Sequence, residues 1–180
     1  ANGADPNARL LKGTPVRRWS HDFAFMAPWV GATPLWLAAK FLEVDMMRVL
    51  ADAGADPRLA SSNGTTPLMA AAGLGYSRGG GSAFIKNRRD FSSYNPVASA
   101  ELGSRIPAVE EQRALETVSL ALELGADVNA ANDGGDTALH AAVLRGDVEL
   151  VTALLAHGAD PNPQLVRGTP ARRVSADWTL

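Results

Sequence analysis

Thr137-Ala138-Leu139-His140-Ala141-Ala142, then Gly146-Asp147-Val148-Glu149-Leu150-Val151, then Leu154-Leu155-Ala156-His157-Gly158-Ala159-Asp160 is the stretch that decides the fold. Thr137 stands where a hydroxyl can accept a hydrogen bond from an unpaired amide in the first turn of a helix. Val148, Val151, Leu154 and Leu155 recur at helical spacing, which predicts a second helix over Val148–Ala156. Gly158 follows that helix, at the position where a left-handed C-terminal residue favours glycine. Asp160 then opens a turn. The segment is thus two short helices and a turn.

The same phrases recur elsewhere. Thr33-Pro34-Leu35 and Thr66-Pro67-Leu68 match Thr137-Ala138-Leu139, and Gly3-Ala4-Asp5, Gly54-Ala55-Asp56 and Gly125-Ala126-Asp127 match Gly158-Ala159-Asp160. Gly54 to Thr66 and Gly125 to Thr137 are both 12 residues, while Thr33 to Gly54 and Thr137 to Gly158 are both 21, so one unit is 33 residues long. Pro34 and Pro67 fall at the first helical position, where a missing N–H is harmless and the fixed φ suits the helix. Leu35, Ala38 and Ala39 share one helical face, and the small alanines let neighbouring helices approach closely.

The period and the Thr-Pro-Leu-His-x-Ala phrase resemble the ankyrin repeat. The resemblance implies an all-α solenoid of helix-turn-helix units with β-turn fingers, and a role in protein–protein recognition through an extended concave surface lined by the fingers. It also implies that His140 serves structural hydrogen bonding; Trp36 and Met69 occupy that position in the other units, which excludes a shared catalytic role.

The units are unequal. Gly3 to Thr33 is 30 residues, placing 18 extra in the first finger; Thr66 to Gly125 is 59, placing 38 extra between two helices. Aligning Gly75 with Gly146 puts this larger insertion at about residues 76–113, with its end from Val109 onward extending the second helix. The chain then divides into units of about 3–53, 54–124 and 125–157 and a partial unit 158–180, all one domain over residues 1–180. Residues 3–25 and 158–180 share 13 identities at an offset of 155, including Gly3-Ala4-Asp5-Pro6-Asn7 with Gly158 to Asn162, and Arg17-Arg18 with Arg172-Arg173. The C-terminal stretch therefore begins a second copy of the same block. Repeat stacks need polar terminal caps, and neither end carries one. The ends are expected to meet further repeats of a longer array or another copy of the chain, and head-to-tail contacts that do not close give filaments.

A chain that is 46% hydrophobic and 20% charged belongs with folded rather than disordered proteins. Its net charge of −2 supplies no general attraction to nucleic acid or anionic lipid. No apolar run approaches the ~20 residues of a membrane span, and the N-terminus lacks the basic start and apolar core of a signal peptide. A soluble protein is expected. With no cysteine, disulfides and thiolate metal sites are excluded, and both a cytoplasmic and an exported location fit.

Candidate binding residues cluster in the two insertions. The long finger carries Arg17, Arg18, Trp19, His21 and Trp29, with Phe23, Phe25 and Met26 between them. Because the arginine pair recurs at Arg172-Arg173, it is either a recognition element or an anchor for Asp22 and Asp177. The larger insertion carries Tyr76, Arg78, Phe84, Lys86, Arg88, Arg89, Phe91 and Tyr94. Such aromatics and cations suit a protein partner or stack on and neutralise single-stranded nucleic acid, or the aromatics pin the loop to the stack. Asp127 to Gly134 faintly resembles a calcium loop, but its fifth position is Ala131 and its twelfth Ala138, which favours an ordinary turn. No nucleophile motif, phosphate loop, metal cluster or cofactor signature is present. The expectation is a non-enzymatic protein-binding scaffold without cofactor, with self-assembly as the alternative and nucleic-acid binding behind both.

Overall fold

The computed structural model describes residues 3–12, 29–74 and 108–163. These contain helices α1 (Pro34–Lys40), α2 (Val44–Asp52), α3 (Pro67–Ala72), α4 (Ala108–Glu123), α5 (Ala138–Arg145) and α6 (Val148–Ala156), and no strand. Helices α1, α3 and α5 lie side by side in one layer, and α2, α4 and α6 form the second; each first helix packs on its own second helix and on its neighbours in the layer. This is the expected all-α solenoid.

Each first helix starts at its threonine. Thr33, Thr66 and Thr137 are extended, and their hydroxyls accept from the amides of Trp36, Met69 and His140 at 3.2, 3.3 and 3.4 Å. Each such cap is worth about 1 kcal/mol. Where α5 has no proline, His140 completes a capping box, its Nδ1 accepting from the Thr137 amide at 3.2 Å. Asp147 caps α6 through the Leu150 amide at 3.1 Å. Between the layers lie Leu35, Ala39, Leu68, Ala72, Ala141 and Ala142 from first helices and Met47, Val118, Ala121, Leu150 and Leu154 from second helices, all buried. The alanine-rich first layer brings backbones close, and the larger side chains of the second layer fill the seam.

Two helix boundaries flank the larger insertion. Helix α3 stops at Ala72 with Gly73 as a left-handed cap at φ 108°, two residues before Gly75, and the Leu74 amide returns to the Met69 carbonyl at 2.9 Å. Gly73 thus does in this unit what Gly146 does after α5. Helix α4 begins at Ala108 and so includes the stretch from Val109 onward that extends the second helix into the insertion.

The turn after each second helix is a repeated device. Gly54, Gly125 and Gly158 have φ of 90°, 89° and 87°. Asp5, Asp56, Asp127 and Asp160 each accept, through Oδ1, from the amide two residues on, at 2.8 to 2.9 Å. The residue four after each glycine then reaches to the next unit. Asn7 Nδ2 donates to the Gly54 carbonyl at 3.0 Å and its Oδ1 accepts from the Asp56 amide at 2.8 Å; Asn129 does the same to Gly158 and Asp160 at 3.0 and 2.8 Å. Arg58 replaces asparagine in the middle unit and donates from Nε to the Gly125 carbonyl at 3.3 Å.

Successive fingers are also joined directly. The Ser62 amide donates to the Val30 carbonyl at 2.8 Å, and the equivalent Asp133 amide to the Asn63 carbonyl at 3.1 Å. Trp36, standing where α5 has histidine, sends its indole N–H to the Thr65 carbonyl of the next finger at 2.9 Å, and both groups are buried. Trp36→Phe removes that donor while keeping most of the apolar volume. The Thr65 carbonyl keeps the Ser61 amide at 2.9 Å and the Ser61 hydroxyl at 3.2 Å, so the loss is expected to be that of one net hydrogen bond, about 0.5–1.5 kcal/mol, which chemical denaturation reads directly. No change in midpoint would show that the Ser61 groups satisfy the carbonyl without the indole.

Candidate recognition surface

The two insertions leave the stack at opposite ends of the first-helix layer, and each has fixed stems. At the finger end, the Leu10 amide donates to the Ala32 carbonyl at 2.9 Å and the Gly31 amide to the Leu10 carbonyl at 2.7 Å, so residues 10 and 31–32 form a small rung. Arg9 adds a donation from Nη1 to the Ala60 carbonyl at 2.9 Å. Trp29 is half-buried, its ring edge-on to Phe41 with centroids 5.7 Å apart, against a small cluster of Ala32, Trp36 and Ala70. Of the binding residues expected from sequence, only Trp29 is therefore placed, and it lies against the stack. Arg17, Arg18, Trp19, His21, Tyr76, Arg78, Phe84, Lys86, Arg88, Arg89, Phe91 and Tyr94 lie outside the described residues.

At the other end, two cations that the sequence reading did not single out hold the stems of the larger insertion. Lys40, in the last turn of α1, donates from Nζ to the Leu74 carbonyl at 2.8 Å. Arg145, in the last turn of α5, donates from Nη2 to the Glu110 carbonyl at 3.2 Å. Arg145 is buried, as is Asp147, whose Oδ2 lies 3.5 Å from its Nε; the Glu110 carboxylate is 3.9 Å from Nη2. The only sequence signal was a basic residue closing a first helix twice, a pattern helix dipoles alone would explain.

Burial, reinforced by the neighbouring Arg145 charge, lowers the Lys40 amine from 10.5 to about 8. Between those values the unfolded chain binds the proton more tightly than the folded one, so this group makes stability rise with pH from about 8 towards 10.5 and imposes its full penalty below 8. The gain is expected to be on the order of 2 kcal/mol. Lys40→Gln keeps a donor for Leu74 without a charge and should flatten that rise. Urea unfolding of both proteins at pH 7 and pH 10 measures it; parallel curves would remove the assignment.

The remaining polar candidates are spent on the backbone. Asn132 Oδ1 accepts from the Gly134 and Asp136 amides, both at 2.9 Å, and Asp127 Oδ1 from the Asn129 amide at 2.9 Å, so the faint calcium-loop pattern is a turn held by its own amides. His140 caps α5, and His157, exposed after α6, lies 2.8 Å from the Ala153 carbonyl through Nδ1.

Residues 108–155 match the family model for ankyrin repeats present in many copies. Human neurogenic locus notch homolog protein 1 is 34% identical over 137 residues, covering 74% of this chain, and human notch homolog protein 2 is likewise 34% identical over 137 residues. The chain is an ankyrin-repeat protein. The chain spans 5% of the length of either relative. The crystal structure of the human ASB11 ankyrin repeat domain superposes with a TM-score of 0.51 at 20% identity, over 77% of this chain and 45% of that one. Ankyrin repeats generally mediate protein–protein interaction, and domains built from them are typically non-catalytic. No helix among the described residues is long and apolar enough to cross a membrane.

Proposed function

We propose that this chain is a protein-recognition scaffold whose two inserted segments, the long first finger and the insertion at about residues 76–113, supply the partner contacts. What supports the reading is the way both segments are carried. The first emerges from the rung at Leu10 and Gly31, and the second from stems held by Lys40 and Arg145. A stack joined finger to finger and unit to unit holds the stems of both in fixed positions, which limits the entropy that the stack itself loses on binding. Arg17, Arg18, Trp19 and His21 in the first finger, with Trp29 at its base, and Tyr76, Arg78, Phe84, Lys86, Arg88, Arg89, Phe91 and Tyr94 in the second segment are the candidates, and their aromatics and arginines are residue types that dominate protein interfaces. The partner surface would combine apolar pockets with acidic groups.

The test is affinity capture from the native source with three baits: the chain, an Arg17→Ala/Arg18→Ala/Trp19→Ala variant and an Arg88→Ala/Arg89→Ala/Phe91→Ala variant. A protein retained by the first and lost from at least one variant, with melting temperatures unchanged, supports the reading. Equal retention by all three would place recognition elsewhere on the stack.

A further inference from the structure

The amine of Lys40 stands in an unusual place for a lysine. The side chain is half-buried at the end of α1, and Nζ donates to the Leu74 carbonyl at 2.8 Å. Helix α3, which lies between α1 and α5, carries no charged side chain. On α2, Asp45 and Arg48 are exposed, as are Arg113 and Glu116 on α4. Arg145 closes α5 and is buried, and the Asp147 and Glu110 carboxylates lie 3.5 and 3.9 Å from its own guanidinium. Among the described residues no carboxylate pairs with Lys40. Its neighbour in charge is a cation.

We propose that Lys40 is a carbon dioxide site, where the amine forms a carbamate whose new carboxylate is stabilised by Arg145. The lone pair of the neutral nitrogen attacks the carbon of carbon dioxide. One carbon–oxygen π bond breaks onto oxygen to give the carboxylate, and a proton from the nitrogen passes to water. No oxidant, metal or second enzyme is required. The nitrogen keeps one N–H, enough to go on donating to the Leu74 carbonyl. The charge is what changes. Before the reaction two cations oppose each other in a place shielded from water; afterwards an anion acts on Arg145, and the attraction is stronger there than in bulk solvent. An acyl group on the same nitrogen would remove the positive charge but supply no anion, so the neighbouring cation favours carbon dioxide. Burial first and the Arg145 charge second also prepare the nucleophile, because they hold the amine at about 8 rather than 10.5. At about pH 7.4 the neutral form is then roughly a fifth of the total, against under about a thousandth for an ordinary lysine. The carbamate sits at the stem of the larger insertion, where it ties α1 to the end of α5.

The experiment exposes the full chain to isotopically labelled carbon dioxide and bicarbonate at near-neutral pH. The carbamate is trapped as its ethyl ester with a trialkyloxonium salt and located by peptide mass spectrometry, which keeps it apart from label on the terminal α-amine. Two variants accompany the intact chain. Lys40→Arg keeps a charge and a donor but stays protonated and cannot react. Arg145→Met/Asp147→Asn removes the cation together with its buried anion. In the intact chain, label on Lys40 is expected to exceed that on exposed Lys12 by about tenfold or more. Lys40→Arg should carry none at that position, and the double variant about tenfold less than the intact chain. Should the double variant fail to fold by circular dichroism, the intact chain compared with Lys40→Arg decides the matter. Equal label on Lys40 and Lys12, or undiminished label on Lys40 in a folded double variant, would overturn the proposal.

Discussion

Replacing Gly31 with alanine is expected to destabilise the chain by about 3 kcal/mol, roughly three times the effect of the same change at Gly54. Both glycines are left-handed, at φ 84° and 90°, so both substitutions share the strain of an L-residue in that region. The difference lies in space. A Cβ on Gly54 meets nothing within 4 Å, whereas one on Gly31 would lie 2.6 Å from the Ser62 amide nitrogen and 3.2 Å from the Ser61 carbonyl carbon. These are backbone atoms, so no rotamer change relieves the clash. The two fingers must separate, and the Ser62 to Val30 hydrogen bond lengthens from 2.8 Å. Equilibrium urea unfolding of the two variants measures the contrast, and equal losses would mean that the fingers are not held together at Gly31.

The second large effect concerns the buried ion pair. Arg145→Met is expected to cost about 3–5 kcal/mol, because the Asp147 carboxylate stays buried without its cation and the Glu110 carbonyl loses a donor. Adding Asp147→Asn removes the stranded charge while keeping an asparagine at the cap of α6, a residue as good there as aspartate. The double variant should therefore recover most of the loss. A double-mutant cycle by chemical denaturation gives the coupling directly. A single substitution costing less than about 1 kcal/mol, or a double variant less stable than Arg145→Met, would show that Asp147 is solvated well enough to stand alone.

These two sites mark where sequence reading succeeds and where it stops. The caps Thr33, Thr66 and Thr137, the turn aspartates and the left-handed glycines act within a few residues of themselves, so spacing alone located them. The close approach at Gly31 and the stems under Lys40 and Arg145 join residues 30 or more positions apart, and local pattern contains no term for them. Nor did spacing show that helix α3 ends at Ala72 with Gly73 as its left-handed cap, where the Leu74 carbonyl meets Lys40.

The 33-residue period, read from sequence by itself, determined that this chain is a stack of helix pairs, which residues cap them and which turn links one to the next. Those features follow from hydrogen bonds and apolar faces whose partners lie within one turn or one helix. Only the tertiary structure decided how units grip one another. Asn7, Arg58 and Asn129 bond to glycine carbonyls 47, 67 and 29 positions away, and two unequal insertions intervene in the first two cases. Which residue reaches across such a gap depends on where stacked backbones come to lie, a distance set by packing and not by position in the chain.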